Sequence, residues 1–76
     1  MNKTRREALR LVAGKVQELR DEMETLRDEE AEYRDNMPEN MQGSEKYGKA
    51  DEAVDALTEA VDHLENAVEY INSALE

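Results

Sequence analysis

The chain has 76 residues, a single histidine and proline, three glycines, and no cysteine, phenylalanine or tryptophan. That length allows one small domain, marginal unless it is stapled or oligomerises. Without cysteine there are no disulfides or thiolate metal sites, and His63 alone cannot build a histidine metal cluster. The formal charge of −10 is uneven: residues 1–20 carry six basic and two acidic side chains, net +4, and residues 21–76 carry four and eighteen, net −14. A body of that sign excludes bulk nucleic-acid binding, which needs a basic surface. No apolar run has the length of a signal peptide or a membrane span, so a cytoplasmic location is expected.

Thr4-Arg5-Arg6-Glu7 has the form of a capping box, which predicts a first helix over about residues 4–35 with Thr4 as N-cap. Its apolar positions step by three and four as a heptad seam, with Leu9, Val16 and Met23 at a and Val12, Leu19, Leu26 and Tyr33 at d. Gly14 is a weak point on the outer side. The seam fails at Glu30, an a position, where Arg27 and Arg34 lie within pairing reach. Arg6, Arg20, Arg27 and Arg34 all fall at e, a ladder that reads as interhelical ion pairing of low individual worth.

Pro38 disfavours helical geometry at Met37, so the first helix is expected to end between Tyr33 and Asn36. The connector then covers about residues 36–44. Asp35 or Asn36 is expected to cap a short turn that Pro38 opens at its first position. Gly43 offers a positive φ, Ser44 is the expected N-cap of the second helix, and Met37 and Met41 are expected to fold inward.

The second helix, about 45–75, has the clearest pattern. Its seam is Tyr47, Ala50, Val54, Leu57, Val61, Leu64, Val68, Ile71 and Leu75, without a miss. Ala53, Ala60, Ala67 and Ala74 recur every seven residues beside the a positions and widen the apolar stripe, so that more than one helix can pack there. The fold class is therefore all-α: an antiparallel two-helix hairpin with heptad seams, pairing Leu26 with Val54, Leu19 with Val61 and Val12 with Val68. A lone hairpin leaves apolar surface wet, so a homodimer forming a four-helix bundle is expected, with the alanine line at the second interface. The competing expectation is a monomer that pairs with a different helical partner.

The connector end collects the residues suited to recognition: Glu30, Tyr33, Arg34, Asn36, Asn40, Gln42, Ser44, Lys46 and Tyr47, with Lys49 nearby. Amides, hydroxyls, cations and flat rings are what a small phosphate-bearing ligand requires, and the amides opening the second helix near Gly43 and Ser44 suit an anion. The bland alternative is a set of core-edge tyrosines and backbone-capping polar groups. No nucleophile–base pair, metal-ligand spacing or phosphate-loop motif is present, so no enzymatic activity and no cofactor are expected.

The run Glu29 to Glu45, EEAEYRDNMPENMQGSE, resembles small acidic proteins of phages and prophages of Gram-positive bacteria. Those proteins look like two helices around an N-M-P-E-N-[LM]-Q-G-S-E core, followed by an A-[VI]-D-A-L type second helix. The matching residues here are Asn36 to Glu45 and Ala53 to Leu57. The resemblance implies a viral or prophage accessory protein in the host cytoplasm and carries no established activity. Where the group has an arginine after the Ser-Glu pair, this chain has Lys46, which would weaken a bidentate contact.

Three functions follow as expectations. One is a non-enzymatic oligomeric helical protein that binds itself and a host or phage protein. Another is sequestration of a phosphate-bearing ligand, such as a signalling nucleotide, at the connector end. The third is an acidic mimic of nucleic acid that blocks a DNA-binding protein, against which stands the ordinary solvation of acidic helix faces. DNA binding by the basic N-terminal turns is the weakest reading, because the acidic body would repel the duplex.

Overall fold

A computed structural model describes residues 1–76 as two long helices, α1 (Lys3–Asp35) and α2 (Glu45–Leu75), with one turn of 3-10 helix, Glu39–Met41, between them. The helices pack side by side in a rod of 60 × 14 × 13 Å. Two cross-helix contacts set their direction: Arg34 meets Asp51 and Arg20 meets Glu65. Moving fourteen residues back along α1 moves the partner fourteen forward along α2, so the hairpin is antiparallel and keeps one register.

α1 starts earlier than the capping box implied. Asn2 is the extended N-cap residue, at φ −81° and ψ 167°, and its Oδ1 accepts from the Arg5 N–H at 2.7 Å. Thr4 lies inside the helix, so the Thr4–Glu7 box does not form. Asparagine is the stronger cap, and the earlier start adds backbone hydrogen bonds. At the other end Asn36 closes α1, its N–H donating to the Glu32 carbonyl at 2.9 Å.

The connector is wound from right-handed turns. Pro38 is the extended residue before the short turn (φ −58°, ψ 150°) instead of its first helical residue, and no side chain caps that turn. The Met41 N–H donates to the Pro38 carbonyl at 2.8 Å and the Ser44 N–H to the Met41 carbonyl at 3.0 Å. No residue has positive φ, so Gly43 does not use its conformational freedom. Ser44 caps α2, its Oγ accepting from the Tyr47 N–H at 3.3 Å.

Only Ala13, Met37, Ala50, Val54 and Val61 are buried. Met37 folds inward as expected, while Met41 stays exposed. On α1 the a line is half-buried (Leu9, Val16, Met23, Glu30), and so are the arginines of the e line. The d line is not covered: Val12, Leu19, Leu26 and Tyr33 are 44%, 54%, 55% and 51% exposed. α1 is therefore turned about its axis relative to the symmetric seam. Its a and e lines face α2, and the leucines expected against Val54 and Val61 look outward. The cause is that one neighbouring helix covers only one flank of the a line. The e flank offers long arginine stems that lie along the groove and reach carboxylates of α2.

Gly14 and Gly48 lie inside helices, and a β-carbon built on either meets no atom within 4 Å. Gly14→Ala and Gly48→Ala are each expected to stabilise the fold by about 1 kcal/mol. Urea melts of the single and double variants test this, and an unchanged midpoint in both would contradict the helix boundaries.

Candidate functional site

The side chains that fasten the hairpin are the e-line arginines. Arg34 donates from Nη1 to Asp51 Oδ1 and from Nε to Asp35 Oδ1, both at 2.9 Å. Arg20 donates from Nε to Glu65 Oε1 at 2.8 Å, and its Nη2 reaches the same oxygen. The Arg20 guanidinium also lies 2.6 Å from Glu24 on its own helix. Arg6 donates from Nη1 to the Leu75 carbonyl at 2.8 Å, which ties down the last turn of α2. Arg27 does not cross to α2 and pairs with Asp28 instead at 3.0 Å. Neither Arg27 nor Arg34 takes Glu30, which is half-buried and in no ion pair. The adjacent aspartates and the facing helix outcompete the i±3/4 partner.

These hydrogen bonds raise the pKa of Arg20, through Glu65 first and then Asp21, and of Arg34, through Asp35 first. A cation with a raised folded pKa contributes at every pH below its unfolded value and loses that contribution only as pH rises through the folded one. Both windows lie above the working range of proteins, so these arginines stay charged throughout it.

The ladder changes how the connector reads. Arg34 is committed to Asp35 and Asp51, and Ser44 to its cap. Asn36 caps α1 through its backbone. The structure brings Tyr33, Asn36 and Lys46 around one open depression of about 320 Å³, floored by Met37, Pro38 and Met41. Asn40, Gln42, Glu30 and Tyr47 are not on its wall. Lys46 makes no ion pair, and the amide of Asn36 and the Tyr33 hydroxyl make no hydrogen bond within the chain. The depression thus presents one free cation, one free amide and one half-exposed ring. No cluster of three or more His, Asp or Glu side chains is arranged to hold a metal.

A second feature is larger. The exposed d line of α1 runs the length of the rod. Beside it on α2 lie Leu57, Leu64 and Ile71 and the alanines Ala53, Ala60 and Ala67, all partly covered, while Ala74 is exposed. The alanine line therefore borders an open apolar face. The part played by Val12, Leu19 and Leu26 in that face was hidden by their place in a regular seam. The arginines at e were the available signal, because they mark the flank that the lone hairpin closes. Met37, Pro38 and Met41 entered the connector wall without a polar signature to flag them.

No protein-family model matches the chain, and no curated protein or solved structure matches it.

Ser44→Ala removes the only side-chain cap of α2 and is expected to cost about 1 kcal/mol, with Ser44→Asp restoring most of it. Thermal or urea unfolding followed by helical circular dichroism reads the difference.

Proposed function

We propose that this chain is a non-enzymatic helical interaction protein that works as a homodimer, two hairpins closing into a four-helix bundle over the exposed apolar face. The observation that carries the reading is the d line of α1, four large side chains each about half exposed and in register along the rod. A chain with only five buried residues gains apolar burial by covering that line. The alanines beside it permit close helix approach. The likeness of the connector to small acidic phage and prophage proteins supports an accessory protein acting in the host cytoplasm, with the outer surface of the bundle free for a host or phage protein.

Light scattering tests the assembly. A species of twice 8.7 kDa is expected at micromolar concentration. Leu19→Glu or Leu26→Glu, harmless on a free surface, is expected to weaken association at least tenfold, because a carboxylate would be buried without a partner. Two chains of −10 repel each other, so added salt is expected to tighten the dimer. Docking of a basic foreign partner responds in the opposite sense.

A second reading is favoured by the depression at the connector, where Lys46, Asn36 and Tyr33 are all unengaged. It holds a small phosphate-bearing ligand such as a signalling nucleotide, the phosphate on Lys46 and a base or ribose against Tyr33. Thermal-shift measurements with cyclic and ADP-ribose-type nucleotides test it. Stabilisation that disappears in Lys46→Ala is expected, and no shift with any of them removes this reading.

A further inference from the structure

We infer that the second copy seats antiparallel, with the two connectors at opposite ends of the assembly and α1 lying on α1. The inference rests on the homodimer reading above and adds its orientation and contacts.

Two seatings bring the apolar faces together about a twofold axis. If the axis runs along the rod, both connectors share one end and α1 covers the other copy's α2. If the axis runs across the rod, the connectors separate and each helix covers its own equivalent in reverse. Packing admits both. In the second seating the d line is self-complementary, as an isologous contact requires. Reversal about the point midway between Leu19 and Leu26 sets Leu19 on Leu26 and Val12 on Tyr33, and leaves the alanine lines facing each other.

Local charge does not separate the two. Arg5 continues the d line, and Lys15 borders it one turn after Val12. Both are exposed and in no ion pair. The crossed seating lays Lys15 against Glu29 of the other copy and Arg5 against its connector at Glu39. Its one like-charged contact is Glu22 beside its own equivalent at the axis. With the register of Arg34 on Asp51, Arg20 on Glu65 and Arg6 on Leu75, the aligned seating sets Arg5 level with the other copy's α2 end at Glu76, Lys15 level with Ala67 and Tyr70, and Lys46 level with the acidic end of α1. Each arrangement serves two cations.

The distribution of charge over the whole rod decides. The connector half, residues 21–56, has four basic and thirteen acidic side chains, net −9. The terminal half, residues 1–20 with 57–76, has six basic and seven acidic, net −1. Aligned seating stacks −9 on −9, whereas crossed seating sets each −9 on −1. Packed helices lie roughly 8–10 Å apart, within about one screening length at physiological salt, so the difference is felt across the interface.

The test uses the absence of cysteine from the chain. Glu39→Cys, exposed in the connector, is spin-labelled, and the distance between the two labels of a dimer is measured by double electron–electron resonance. The expected separation is about 50 Å or more, the length of a helix the size of α1 at its rise per residue. A separation under about 30 Å, two to three helix diameters, overturns the orientation and leaves the dimer standing. Mixed Lys15→Cys and Glu29→Cys chains, oxidised with diamide, are expected to give chiefly the mixed disulfide. Its absence in a sample that sedimentation shows to be dimeric also overturns the orientation. A monomer at every concentration overturns the dimer and this inference together.

Discussion

The contact on which this structure depends is the closure of one flank of the hairpin by arginine. Arg34 on Asp51 and Arg20 on Glu65 share one register, and Arg6 reaches the Leu75 carbonyl at the far end of the rod. Partly exposed ion pairs contribute little net free energy, so their effect is geometric. The guanidinium stems are long and largely covered, with side chains only 20–25% exposed. Covering them requires α1 to present its e line to α2. A helix cannot turn e toward its only neighbour without turning d away. The exposed leucines are therefore a consequence of the arginines and not a separate feature.

The same contact reshapes the connector. With Arg34 held by two aspartates and Ser44 held by the α2 backbone, two of the polar groups suggested by the sequence are already engaged. The unengaged groups that share one depression are Lys46, Asn36 and the ring of Tyr33, around a floor of Met37, Pro38 and Met41, while Asn40, Gln42 and Glu30 lie off its wall. Tyr33 belongs to both regions. It ends the apolar d line and walls the depression, so a partner on the face and a ligand at the connector would meet the same ring.

How much of this was legible depended on the range of the interaction. Two helices and their boundaries follow from local rules: the three-and-four stepping of α2, Pro38 against helical geometry at Met37, and a serine before an apolar run. The cap of α1 was misread because Asn2 and Thr4 compete two residues apart, and the stronger acceptor with the longer helix wins. Gly43 invited a left-handed turn that a chain of right-handed turns does not need. The rotation of α1 was the largest miss. Heptad spacing states which residues are apolar, but not which flank a single neighbour will cover. Glu30 failed in the same way, since its arginines had nearer aspartates and a facing helix to choose. In the connector, the free groups can be told from the engaged ones only once their partners across the hairpin are known.

The burial of the core has a kinetic side. Four of the five buried residues, Met37, Ala50, Val54 and Val61, lie between the connector and the middle of α2, and Ala13 alone lies toward the other end. The loop that must close first is short, so its entropic cost is small, and every later contact extends the pairing next to one already made. Such a chain zips from the turn outward and frays from its termini inward. The order in which its amides open to solvent is thereby written along the rod, with the Arg6 clasp on the last turn of α2 as the first tertiary contact to let go.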